Sequence, residues 1–170
     1  DVLCRCDLVL PDGMPLVWAS RMMGRRLKER VTGADLVPRL TELSARRGYR
    51  VFLLGAEDES SARAAAWMET HYPGICIAGR LSPGFAPLDE MDHEEILERI
   101  EKAHPDILLV AFGNPKQEKW LAMHRHRLRV PLCIGIGGTL DFLSGRLPRA
   151  PKWMQANGLE WAYRLSQEPY

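Results

Sequence analysis

No Cys-x-x-Cys pair, no apolar run of membrane-spanning length and no marked excess of either charge occurs in this 170-residue chain, and each absence removes a class of protein. The four cysteines, Cys4, Cys6, Cys76 and Cys133, form no Cys/His set at zinc-ligand intervals. They read as reduced thiols of a cytosolic protein, with Cys76 and Cys133, set in apolar runs, as small buried hydrophobes. The apolar runs fall short of the roughly 18 residues of a membrane span, and the N-terminus lacks a signal peptide's basic region and apolar core. A formal net charge of +1 gives no field for nucleic acid, so an anionic partner must be met by a local patch, as a small phosphorylated ligand would be. Neither GxGxxG nor the Walker pattern is present, which removes the NAD and ATP fingerprints.

What is present suits one ordinary domain, with 46% hydrophobic and 26% charged residues. Four short apolar runs recur, at Val51 to Gly55, Ile75 to Gly79, Ile107 to Gly113 and Leu132 to Gly138. They lack polar alternation and each closes on glycine, as parallel strands buried on both faces do. A further strand is expected at Leu8 to Leu10. Helical stretches fall at Pro15 to Gly24, Asp35 to Arg47, Ser60 to His71, Asp89 to His104 and Pro115 to Arg127, with a last one from about Gly158 to Gln167. Gly48 reads as a left-handed cap and Asp89 as an N-cap. Strands alternating with helices predict an α/β fold, a doubly wound, mostly parallel (Rossmann-like) sheet with helices on both faces.

Ligands of such sheets bind beyond the carboxyl ends of the strands, so the residues after each run are the candidates. Pro11-Asp12-Gly13 puts a carboxylate in a tight turn, where it can accept a proton from an attacking hydroxyl; an aspartate-capped turn explains it equally in isolation. In Gly113-Asn114-Pro115-Lys116-Gln117-Glu118 a strand breaks into polar groups at a helix start, where Gln117 can address hydroxyls and the helix end anions; a solvated first turn is the alternative. Ile134 to Phe142 is a glycine-rich strand exit whose amides can approach a diphosphate, followed by Asp141 for ribose hydroxyls, unless the glycines serve packing alone. Arg30, just before Thr32-Gly33, is either a phosphate clamp or a surface arginine. Gly145 to Trp153 is basic and proline-broken, a lipid- or pyrophosphate-facing segment or a solvated loop. No Asp-x-Asp metal motif accompanies them, so metal-independent chemistry is expected, with arginine, lysine or backbone amides stabilising a departing diphosphate.

Taken together, Leu10-Pro11-Asp12-Gly13, Arg30-Val31-Thr32-Gly33, Gly113 to Glu118, Gly137-Gly138-Thr139-Leu140-Asp141-Phe142 and Arg149-Ala150-Pro151 resemble the WecG/TagA/CpsF family of bacterial glycosyltransferases. The resemblance runs from about Asp7 to Pro169. It implies an inverting hexosyltransferase that carries a sugar from a UDP-sugar to a polyprenyl-diphosphate-linked saccharide, without a cofactor or required metal, peripheral at the inner face of the cell membrane. Surface polysaccharide, teichoic acid or exopolysaccharide would be the product. By the same resemblance Asp12 is the catalytic base, and Arg30, Asn114 and Gln117 line the sugar and acceptor pocket. Ile136, Gly137, Gly138 and Asp141 would hold UDP, with Phe85 near the uracil.

The family pattern also has a strand and helix upstream and a basic, membrane-contacting appendage downstream. The chain, which begins at Asp1 rather than Met, is expected to be a single domain without either. Self-association into a homo-oligomer stays open. Two other readings remain at this point: a non-catalytic nucleotide-binding or assembly module, and an NAD-dependent oxidoreductase.

Overall fold

The computed structural model describes residues 2–156, 158–160 and 162–163. Its sheet holds β1 (Arg50–Gly55), β2 (Cys76–Leu81), β3 (Ile107–Ala111) and β4 (Leu132–Gly135), all parallel in the order β2-β1-β3-β4. Around it lie α1 (Met14–Met22), α2 (Gly33–Arg47), α3 (Asp58–His71), α4 (His93–Ala103), α5 (Lys116–His124), α6 (Thr139–Leu143) and α7 (Lys152–Ala156). The expected doubly wound α/β architecture is what forms.

The two-sided burial follows from strand alternation. Val51, Leu53, Ile107 and Leu109 face a core shared with Val37 of α2, Ala64 and Met68 of α3 and Leu140 of α6. Phe52, Leu54, Leu108 and Val110 point the other way, onto Ile96 and Ile100 of α4 and Trp120 of α5. Because both faces are covered, neither central strand shows the polar alternation of a half-exposed sheet. The order reverses direction between β1 and β3, and the ends of these strands are stitched where the Ala56 N–H donates to the Ala111 carbonyl at 3.0 Å.

Two expectations are corrected. Residues Leu8 to Leu10 form no strand: Leu8 and Val9 are 73% and 55% exposed, so they have no core face to bury. Asp92, not Asp89, caps α4, accepting from the Glu95 N–H at 3.0 Å, while Asp89 belongs to a short helical turn, Leu88–Glu90, just before it. Gly48 ends α2 at φ 72°, as a left-handed cap should. The final helix expected to about Gln167 lies largely outside the described residues. All four cysteines are free; burial pushes the Cys133 thiol up to about 11, which makes it a poor nucleophile, while Cys76 is half-buried.

Candidate functional site

A cleft of about 170 Å³ opens at the carboxyl end of the sheet, on the β4 side. Four stretches of chain meet there, the last of them contributing Gly158 and Glu160. The Val31 N–H donates to the Pro11 carbonyl at 2.9 Å, which fixes the Asp12 turn beside the segment carrying Arg30 and Thr32. Gly13 then takes an extended conformation as the N-cap of α1, with Pro15 in the first helical turn. Asp12 is left exposed at the lip, with Met14 beside it on the lining.

The floor comes from the amino end of α2. Thr32 caps it, accepting from the Asp35 N–H at 3.1 Å and donating to the Asp35 carboxylate at 2.8 Å. Gly33 sits against the exit of β4: a Cβ there would lie 2.5 Å from Thr139 Oγ1 and 3.0 Å from the Ile136 carbonyl. Only glycine lets α2 approach this closely, and the approach brings the first-turn residues Gly33 and Ala34 onto the cleft. The amino end of a 15-residue helix thus faces the cavity with its partial positive charge.

The opposite wall is Ile136, Gly137, Gly138, Thr139 and Phe142. Here the structure sharpens the sequence reading. The Ile136 N–H donates to Val110, the Gly137 N–H to the Gln117 side-chain oxygen at 2.9 Å, and the Thr139 N–H to Ile136. Three of these successive amides are therefore engaged within the protein, and Gly138 is the one whose N–H remains for a ligand among the described residues. Gln117 is 5% exposed and lies behind this wall rather than on the cleft. Its amide fills the space a Cβ on Gly135 would take, 2.8 Å from Gln117 Nε2.

Arg30 closes the mouth in a ring of charges. Its Nη1 donates to Glu160 at 2.8 Å; Glu160 accepts from Arg149 Nε at 3.0 Å; Arg149 Nη2 reaches Asp35 at 2.7 Å; and Asp35 returns to Arg30 at 3.8 Å. The Arg30 and Glu160 side chains are only 14% and 13% exposed, so their bond is worth more than a surface pair. Burial pushes the Asp35 carboxyl up, but its bonds from Arg149 and Thr32 outweigh that and hold it below its ordinary value. The ring joins residues 130 positions apart, so no local pattern revealed Glu160. Thr32, by contrast, carries a local signal, since Thr-x-x-Asp is an N-terminal box.

Among the other candidates, Asp141 lies just inside α6, 3.6 Å from Arg146, which also pairs with Glu57 at 2.9 Å. It does not line the cleft. Asn114 is exposed before α5, and Phe85 is 80% exposed on the loop of residues 82–87. That loop is tied to α5 where Lys116 Nζ donates to the Ala86 carbonyl, the ammonium lying 5.2 Å from the Phe112 ring centroid. Asp12, Arg30, Ile136, Gly137 and Gly138 are thus gathered in one cavity, with Gln117 supporting it and Asn114, Asp141 and Phe85 outside its lining.

Parallel strands flanked by helices, with a cleft off their carboxyl ends that Asp12 and Arg30 both line, make this a Rossmann-like α/β fold. The profile of the Glycosyl transferase WecG/TagA/CpsF family matches residues 1–170, and the chain belongs to that family. It is 36% identical over 170 residues to the N-acetylglucosaminyldiphosphoundecaprenol N-acetyl-beta-D-mannosaminyltransferase of Bacillus subtilis (strain 168), covering 100% of this chain and 64% of the relative. Proteins of the same name from Bacillus spizizenii (strain ATCC 23059 / NRRL B-14472 / W23) and Staphylococcus aureus (strain MRSA252) are 35% and 30% identical, over 99% and 96% of this chain and 63% of each relative. The chain therefore spans less than two thirds of the length of these relatives.

Proposed function

We propose that this chain is the sugar-transferring domain of an inverting glycosyltransferase that uses a UDP-sugar donor and a polyprenyl-diphosphate-linked acceptor. The carrying observation is that Asp12 and Arg30 line one cleft with the amino end of α2 in a chain of this family. The relatives' name supplies the nearest substrates: an N-acetylmannosaminyl donor and N-acetylglucosaminyldiphosphoundecaprenol as acceptor. The cleft is smaller than the roughly 300 Å³ or more of a whole drug-sized ligand, so it takes the reacting sugar and its phosphate, with the nucleoside extending outward.

Asp12 accepts the proton of the acceptor hydroxyl while that oxygen forms a bond to the anomeric carbon. The bond from that carbon to the diphosphate oxygen breaks, and UDP leaves with the electron pair from the opposite face, giving inversion. The α2 amino end and Arg30 stabilise the charge that develops on the leaving group, a role a metal fills in other transferases. Work at the inner face of the cell membrane follows from a lipid-linked acceptor; among the described residues no helix is long and apolar enough to cross a membrane.

Glu160 matters here through Arg30. Glu160→Gln keeps the shape but removes the charge that two arginines share, and kcat/KM is expected to fall about ten- to a hundredfold, the range for a lost hydrogen bond to a charged group. Glu42→Gln, which pairs with the exposed Arg46 on α2, is expected to leave it unchanged. Steady-state kinetics of both variants checks this. Donor recognition is tested by titration calorimetry with UDP and with NAD. Binding of UDP alone supports the proposal, and tighter binding of NAD overturns it in favour of an oxidoreductase.

A further inference from the structure

The lip of the cleft is also the start of α1, whose surface is unlike the rest of the domain. Val17 is the helix's buried residue. Trp18, whose ring edge lies by Gly158, and Met22, four residues on, are 40% and 89% exposed, and Met23 and Leu27 are 77% and 40% exposed. Every residue from 21 to 29 is exposed. Among these apolar groups stand Arg21, Arg25, Arg26 and Lys28, and residues 13–28 contain no Asp or Glu, a formal +4 within a chain of +1.

No carboxylate lies among these cations to offset them. Arg46, Arg63, Arg99 and Arg127 meet glutamates, and Arg146 and Arg149 of the basic 145–153 segment are engaged with Glu57, Asp141, Asp35 and Glu160. Arg21, Arg25, Arg26 and Lys28 form no salt bridge among the described residues. An exposed apolar strip calls for a partner, and this one must be negative. A second copy would set four cations against four, whereas an anionic bilayer takes Trp and Met side chains into its headgroup boundary and the cations onto its phosphates.

We infer that α1 and the following turn, residues 23–28, form the surface by which this domain lies on an anionic phospholipid bilayer, with the Asp12 cleft opening at its edge. The lipid contact rests on exposure and charge; its service to catalysis rests on the lipid-linked acceptor proposed above. Met14 lines the cleft from the first residue of the same helix, so a docked α1 brings Asp12 to the depth of headgroup phosphates.

The test is cosedimentation with vesicles of phosphatidylethanolamine and phosphatidylglycerol, against vesicles of phosphatidylcholine alone, with UDP calorimetry on the same proteins. The chain is expected to bind the anionic vesicles alone and to release in high salt. Arg25→Gln/Arg26→Gln/Lys28→Gln is expected to weaken binding about fivefold per cation, about a hundredfold in all. Met22→Ser/Met23→Ser is expected to weaken it as well, and neither variant alters UDP affinity. Vesicle binding unchanged in both variants overturns the inference. So does a dimer in analytical ultracentrifugation that Met22→Ser/Met23→Ser dissociates without change in vesicle binding, which would assign the surface to a second copy. Vesicle binding that follows the expected pattern in a protein that binds no UDP upholds this surface and removes the proposed function instead.

Discussion

Asp12→Asn is expected to lower turnover by about 10²- to 10⁴-fold, the usual contribution of a positioned general base, while UDP affinity stays as it was. The substitution is close to isosteric, and the turn around it is set by backbone: the Pro11 carbonyl still accepts from Val31, and Gly13 still caps α1. Asparagine cannot take the acceptor's proton, so the chemical step loses its driving group. The contacts proposed for the donor's phosphate lie on α2 and Arg30 and are untouched. Comparing single-turnover rates with calorimetric UDP affinity separates the two effects. Near-normal turnover in a well-folded variant would remove Asp12 from the base role.

Trp120→Ala is expected to destabilise the fold by about 3–5 kcal/mol, the range for deleting a large buried aromatic. Trp120 is fully buried on α5, edge-on to Phe112 at 5.8 Å between ring centroids and 4.8 Å from His124. Its indole N–H donates to His93 Nδ1 at 3.2 Å, linking α5 to the start of α4. Burial, with the charges of His93 and Arg127, lowers the His124 pKa, so His124 favours the neutral imidazole. Removing the indole leaves a cavity and takes one of the two partners of His93 Nδ1, the other being His124 Nε2 at 3.2 Å. Because α5 also carries Gln117, the same change loosens the amide that holds Gly137. Urea denaturation measures the loss.

The parts of the fold legible in the sequence were those whose cause is local. Val51 to Gly55 and Ile107 onward read as buried strands because two covered faces demand apolar residues at every position, and each was found within a residue or two of its expected start. Leu8 to Leu10 has the same composition but no sheet neighbour, and composition alone cannot supply one. Asp89 and Asp92 are equally good caps; a tight turn at Leu88–Glu90 decides between them, and that turn depends on the loop before it.

The site divides the same way. Asp12, Arg30 and the glycine turn at 136–138 stood out through residue type at strand ends and helix starts, and they converge on one cavity. Gln117 was legible as polar but not as buried, because its partner, the Gly137 N–H, belongs to another βα unit. Glu160 gave no signal at all: its meaning lies in a ring closed by Arg30, Asp35 and Arg149, which exists only once the chain has folded.

The most direct test of the account is to incubate the chain, and a version as long as its relatives, with N-acetylglucosaminyldiphosphoundecaprenol and a panel of UDP-sugars, following products by mass spectrometry and anomeric configuration by NMR. The account predicts one added N-acetylhexosamine from a UDP donor, with inverted configuration and loss of product in Asp12→Asn. UDP binding without transfer from any donor, in both lengths of chain, would contradict it.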